Sequence, residues 1–179
     1  MKAIGIIGSP RKDGNSSYLL KKVLSQIEDV FDTEIIYLRD LNINPCNECY
    51  YCTKEESCII EDDMQEIYNK LKATDVLIIT SPVFMGGVTS RLRAFMERTW
   101  HLRRGQLKGK YGTWIVVGRR NLGSSCNEIE QYLSILKMKK IPGIFGYALK
   151  PGEIENDKEA LKGAEMLGKT ILDLYKNNL

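Results

Sequence analysis

Histidine is nearly absent: His101 is the one example in 179 residues. It follows a predicted helix end beside Arg98, Arg103 and Arg104, a setting that reads as solvated surface rather than as a catalyst. Charge of one sign is lacking as well. Lys and Arg number 26 against 23 Asp and Glu, and a formal net charge of +3 is too small to favour nucleic acid as a partner. Long apolar runs are missing. The longest aliphatic stretches, such as Val76-Leu77-Ile78-Ile79, fall far short of the roughly 20 residues that cross a bilayer. The apolar stretch after Met1 runs only to Gly8, too short for a secretory leader, so a cytoplasmic protein with no membrane span is expected. Neither a P-loop nor a GxGxxG fingerprint is present, which leaves little support for a nucleoside triphosphate or a dinucleotide as resident ligand.

What is there reads as alternating strands and helices. At 43% hydrophobic content, the chain has the length and apolar fraction of one domain, expected over residues 1–179. Five stretches read as strands: Lys2 to Gly8, Thr33 to Leu38, Asp75 to Ser81, Tyr111 to Gly118 and Gly143 to Lys150. Several are near-continuous β-branched or aromatic runs, as in strands covered on both faces. Between them helical periodicity marks Ser16 to Val30, Asp62 to Lys72, Thr89 to Trp100, Ser124 to Lys139 and Asn156 to Tyr175. The alternation predicts an α/β fold with right-handed crossovers and a five-stranded parallel sheet of order 2-1-3-4-5. One stretch, 42–60, fits neither pattern and holds four of the five cysteines.

The loop after the first strand reads Gly8-Ser9-Pro10-Arg11-Lys12-Asp13-Gly14-Asn15-Ser16-Ser17 and runs into a helix predicted to begin near Tyr18. Hydroxyls, an amide, glycines and two cations at a helix N-terminus suit a dianionic phosphate. The same residues also suit a ligand-free turn capped by Asn15 or Ser16. The third strand ends in Ser81-Pro82-Val83-Phe84-Met85-Gly86-Gly87. In an open parallel sheet of this order, the loops after strands 1 and 3 meet at the topological switch point, where ligands bind. Pro82 and the paired glycines bring backbone amides toward a flat heterocycle, with Phe84 and Met85 placed to pack on its face.

GSPRKDGNSS, followed one strand-helix-strand later by SPVFMGGVTSRLRAFMER, resembles the NAD(P)H-dependent FMN reductase branch of the flavodoxin-like superfamily. The resemblance covers most of the chain and implies a flavodoxin-like three-layer sandwich binding FMN. It places Ser9, Arg11, Asn15, Ser16 and Ser17 on the FMN phosphate. Pro82, Val83, Phe84, Met85 and Gly86 would line the ribityl chain and the isoalloxazine. Family members usually carry Tyr where this chain has Phe84, so the aromatic face is kept and a hydroxyl is lost. The loop after strand 4 contributes in other members. Here Arg119 and Arg120 depart from the glycine-rich pattern, so the expected contacts stop at Gly118.

Cys46, Cys49, Cys52 and Cys58 form a CxxCxxC run with a fourth cysteine after five residues. Two-residue gaps let successive thiolates converge on a 4Fe-4S cluster. Zinc usually takes two separated CxxC knuckles, and a redox-active thiol site needs fewer than four cysteines; both stay open on spacing. PCNECYYCTKEESC is similar to the compact cysteine motif of iron-sulfur flavoproteins, a homo-oligomeric subset of the same reductases. That resemblance makes all four cysteines cluster ligands. Most of the tyrosines read as packing, with Tyr50 and Tyr51 placed to shield a cluster from water.

The expected function is then an FMN-dependent oxidoreductase passing electrons between an external carrier, the cluster and FMN. Its partners would be a ferredoxin-like carrier protein or NAD(P)H. A direct NAD(P)H:flavin or quinone reductase, and a non-enzymatic electron-carrier module, are the alternatives. No side-chain acid, base or nucleophile is required, because the cofactors do the chemistry. Arg91, Arg93, Arg98, Arg103, Arg104, Lys108 and Lys110 follow the ring loop. They read either as a solvated helix and loop, or as a docking face for an acidic carrier or another subunit.

Overall fold

Burial along the central strands sets the architecture. In the computed structural model, which describes residues 1–176, β1 (Lys2–Ile7), β3 (Val76–Pro82) and β4 (Tyr111–Gly118) are buried on both faces. Each runs parallel to its neighbours. β1 lies between β3 and β2 (Asp32–Tyr37), and β4 pairs with β3. The order β2-β1-β3-β4-β5 is the one expected.

The fifth position is divided. β5 (Lys139–Lys140) and β6 (Ile144–Tyr147) both pair with β4 in parallel, where one continuous strand from Gly143 was expected. Pro142 interrupts the ladder because it has no N–H to donate. At Gly143 the backbone passes so close to β4 that a Cβ would stand 2.4 Å from the Trp114 carbonyl oxygen.

Helices cover both faces. α1 (Asn15–Leu24) and α6 (Lys158–Lys176) pack on one side, where Ala3, Ile7, Val76, Ile78, Ile115 and Val117 meet Leu19, Leu20, Val23, Ala164 and Ile171. α3 (Met64–Ala73), α4 (Ser90–Arg98) and α5 (Ser125–Ile135) pack on the other, against Ile4, Ile6, Leu77, Ile79, Trp114 and Val116. The sheet residues of the two sets alternate, as side chains on a pleated strand must. α2 (Tyr51–Lys54) is a single turn inside the cysteine segment. Several helices end earlier than their periodicity suggested. α5 stops before Lys137, which takes φ of 60°, and α4 gives way to a 3-10 turn over Trp100–Arg104.

Thr89 fixes the switch point between β1 and β3. It is 2% exposed. Its hydroxyl donates to the Gly8 carbonyl at 2.7 Å and accepts the Leu92 N–H at 3.3 Å, capping α4. Gly8 in turn donates its N–H to the Thr80 carbonyl at 2.9 Å. The side chain therefore joins the end of β1 to the first turn of α4, and the Thr89 N–H donates to Ser81 Oγ in β3 at 3.3 Å. Thr89→Val should lose about 1–2 kcal/mol, a fall in Tm of roughly 2–8 °C by thermal unfolding. Thr89→Ser should keep most of the wild-type value, and an unchanged Tm for Thr89→Val would count against this role.

Candidate functional site

The loops leaving β1 and β3 close one open pocket at the switch point, the place where ligands bind in a sheet of this order. Ser9, Arg11, Gly14, Asn15 and Ser16 line it from the first loop, and Pro82, Val83 and Phe84 from the second. Val117, Gly118 and Arg119 at the end of β4, with Ala148 and Leu149 beyond β6, complete the wall. Two guanidinium groups and no carboxylate face it. α1 starts at this pocket with Gly14 at its N-cap and no side-chain cap. Its first-turn N–H groups have no intrahelical acceptor, so that end of the helix is open to an anion.

The expected phosphate residues are not equivalent. Ser9 Oγ accepts the Arg11 N–H at 3.1 Å, and Ser16 is buried at the pocket wall. The Asn15 side chain is engaged elsewhere: Nδ2 donates to the Lys150 carbonyl at 2.9 Å, and Oδ1 accepts the Gly152 N–H at 3.1 Å. What it leaves free for a phosphate is its backbone N–H. Ser17 is buried with its hydroxyl 3.5 Å from the Arg11 carbonyl and lies beside an adjoining depression with Asp13, Tyr18 and Lys21. Arg119, which was not expected to contribute, lines the pocket.

The second loop is a tight hairpin. Phe84 and Gly87 exchange backbone hydrogen bonds of 2.9 and 3.0 Å around Met85 and Gly86, whose φ values are 50° and 81°. Positive φ at both central residues is the type I′ pattern. Glycine adopts it freely, whereas Met85 pays about 1–2 kcal/mol. Met85 and Gly86 form the exposed tip, outside the pocket lining, while Phe84 stands half-exposed at its rim.

A support for this hairpin escaped the sequence reading. The Gly86 carbonyl accepts the Ser124 N–H at 2.7 Å and the Ser124 hydroxyl at 3.2 Å. Glu128 lies 2.6 Å from the same hydroxyl and pairs with Arg93. A Cβ on Gly123, at φ of 55°, would stand 1.9 Å from the Gly86 oxygen. The signal was a glycine just ahead of a Ser and Glu four residues apart at a helix start.

Cys46, Cys49, Cys52 and Cys58 line one pocket together with Tyr50, Arg98, Trp100 and His101. All five cysteines are free thiols. Burial, then the closeness of Cys58, Cys46 and Cys49, pushes the Cys52 thiol up. Among the described residues no three His, Cys, Asp or Glu side chains converge to hold a single metal ion. A tetrahedral zinc would gather all four sulfurs at about 2.3 Å from one point. An iron-sulfur cube takes each thiolate on a different iron, so its ligands stand wider apart around a larger void. Four thiols on one pocket wall are a soft donor set of the kind that either centre takes. Tyr50, 66% exposed, lines the pocket, and Tyr51 does not.

Two residues taken for surface are buried beneath this pocket. His101 is 2% exposed because the 3-10 turn after α4 folds it inward, edge-on to Tyr68 at 4.5 Å between ring centroids. Burial, aided by Lys72, Arg98 and Arg104, pushes its pKa down to about 4. Arg98 has a fully buried side chain paired with Asp62. Burial alone would raise the Asp62 carboxyl, but hydrogen bonds from Arg98 and from the Asn44 and Met64 N–H groups hold it below the usual carboxylate range. Other members of the basic run are engaged too. Lys110 donates to the Lys72 and Thr74 carbonyls, Arg104 to Thr53, and Arg103 stacks 4.3 Å from the Trp100 ring centroid. The run is therefore not one free basic face.

A family model described as NADPH-dependent FMN reductase matches residues 1–150. The chain is 38% identical to an iron-sulfur flavoprotein of Methanocaldococcus jannaschii, with 98% of each covered. It is 35% identical to another from Archaeoglobus fulgidus, covering 99% of this chain and 81% of that one. The chain belongs to the NADPH-dependent FMN reductase family, on its iron-sulfur flavoprotein branch. A flavodoxin from the domain Archaea shares the fold at a TM-score of 0.65 and 17% identity, over 98% of this chain and 99% of that one. As a member of this family the protein is a flavin-dependent oxidoreductase, in agreement with the reading of its two loops. Among the described residues no helix is long and apolar enough to cross a membrane.

The pocket fits FMN by charge and by shape, with open N–H groups and arginines for the phosphate and a hairpin-flanked cleft for the ring. If the Gly123 contact positions that hairpin, Gly123→Ala should weaken FMN binding at least tenfold by fluorescence titration while the far-UV spectrum stays unchanged. An FMN affinity within twofold of wild type would show that the hairpin does not depend on it.

Proposed function

We propose that the protein is an electron-transfer iron-sulfur flavoprotein, moving electrons between an external carrier, a 4Fe-4S cluster and FMN. The observation that carries this reading is the joint exposure of Cys46, Cys49, Cys52 and Cys58 to one pocket at the far end of α4 from the flavin site. Ser9, Arg11 and Ser16, with the first-turn amides of α1, would hold the FMN phosphate. Pro82, Val83, Phe84, Gly118 and Arg119 would flank the rest of the cofactor, and Met85 and Gly86 would form the turn over it. FMN supplies a switch between one- and two-electron chemistry, and a cluster supplies one-electron storage.

The chain's own residues position these groups and control access to them. α4 begins at Thr89 beside the flavin pocket and ends at Arg98 beside the cysteines, so its nine residues span about 13 Å between the two sites. Among the described residues none lines both pockets. A single FMN-binding domain with the cysteine loop at 42–60, working in the cytoplasm as a homo-oligomer with a ferredoxin-like donor, is the setting that accords with this reading.

A second reading, direct NAD(P)H oxidation at the flavin, is favoured by the half-exposed Phe84 and the fully exposed Met85. They leave the ring side of the pocket open to a nicotinamide. Rapid NADPH oxidation by cluster-free protein would select it.

Two variants separate the cofactors. Cys49→Ser should lose most of its iron and keep FMN, because serine is a poor soft ligand of nearly the same size. Arg11→Ala with Ser16→Ala should do the reverse, since each charge-assisted hydrogen bond is worth about 1.5–3 kcal/mol, at least a tenfold loss of FMN affinity. Iron and FMN analysis after anaerobic purification checks both. Iron retained in Cys49→Ser at the wild-type level contradicts the cluster assignment.

A further inference from the structure

The cysteine pocket has a buried cation, Arg98, in its wall. The Arg98 side chain has no solvent exposure. Its Nη1 donates to the Asn44 carbonyl at 2.9 Å and its Nη2 to the Ile60 carbonyl at 3.1 Å, and both reach the Asp62 carboxylate. Asn44 and Ile60 lie just outside the first and last of the four cysteines. One guanidinium therefore ties both ends of the cysteine segment to the end of α4. Its third nitrogen, Nε, is buried and has no hydrogen-bond partner among the described residues, although a guanidinium N–H left unsatisfied in the interior is costly.

The charges are arranged asymmetrically. Arg98 lines the cysteine pocket and Asp62 does not, so the cationic end of the pair faces the thiols with its counter-ion behind it. Glu97, the one acidic side chain on the lining, is exposed and screened by water.

We infer that Arg98 is a positioning and tuning residue of the redox centre on the cysteines. It directs its Nε–H and its positive charge at that centre and so raises the centre's reduction potential. This rests on the cluster reading above. Reduction adds one electron to the centre and neither makes nor breaks a bond. Its charge becomes one unit more negative, and a fixed cation in a low-dielectric wall stabilises that product more than the oxidised form. Hydrogen bonds to cluster sulfurs act in the same direction.

The test uses whole protein purified without oxygen, with iron, sulfide and FMN measured first. Arg98→Met is paired with Asp62→Asn so that no carboxylate is left buried without a partner. The midpoint of the centre is read by dithionite titration, with FMN in the same sample as the internal reference. The expected result is at least a tenfold lower reduced-to-oxidised ratio at a fixed potential, about 59 mV for a one-electron couple, with the FMN potential unmoved. An unchanged midpoint in a fully iron-loaded variant overturns the inference and leaves the cluster reading standing. Wild type with neither iron nor sulfide overturns both. If the double variant does not load, pulsed EPR of reduced wild type labelled with 15Nε-arginine decides. A nitrogen coupling that is missing from Arg98→Lys supports the inference, and absence of any coupling in wild type overturns it.

Discussion

The buried pair between Arg98 and Asp62 is the constraint on which the unusual part of this molecule depends. A flavodoxin-like sheet forms from its own apolar strands, but the segment from Asn42 to Ile60 has no strand and only a four-residue helix. It cannot hold a shape by backbone pairing. Its ends are fixed instead by the bonds from Arg98 to the Asn44 and Ile60 carbonyls and by Asp62, which also accepts the Asn44 N–H at 2.9 Å. Buried ion pairs add little net stability against an apolar replacement, whereas removing one partner costs about 3–5 kcal/mol. The pair is better understood as a device that specifies one loop geometry than as a source of stability.

α4 transmits that geometry to the flavin side. Thr89 secures its first turn to β1 and β3, and Arg98 secures its last residue to the cysteine segment. Leu92 and Phe95 between them are fully buried in the core. A helix held at both ends and along its length fixes the spacing of the two pockets, which an electron relay needs and a plain flavodoxin does not. The hairpin after β3 is held through Ser124 and Gly123, at the start of α5 and away from the cysteine segment.

Much of this was legible in the sequence, for physical reasons that differ by element. The near-continuous apolar runs of β1, β3 and β4 announced a sheet covered on both faces, and the order of strands and helices then fixed the switch point. That the loops after β1 and β3 share one pocket, and that four cysteines share another, followed from their loop positions. What was not legible depends on tertiary contact. Pro142 and Gly143 divide the fifth strand because the backbone there runs against Trp114. The Asn15 side chain is engaged by Lys150 and Gly152, more than a hundred residues away. Arg98 looked like one of several solvated cations, although it stands three residues after Phe95 on the same helical face. That spacing was the available sign that it points inward, and His101 is carried inward with it by the 3-10 turn.

The central claim is that FMN sits at the β1–β3 switch point and an iron-sulfur cluster in the Arg98-backed cysteine pocket, one at each end of α4. A crystal structure of protein grown anaerobically, with anomalous maps on both sides of the iron and zinc edges, tests it most directly. The account predicts flavin density between the Ser9–Ser16 loop and the Pro82–Phe84 hairpin, and iron peaks enclosed by Cys46, Cys49, Cys52 and Cys58. A zinc peak among those cysteines, or no metal there at all, would contradict it.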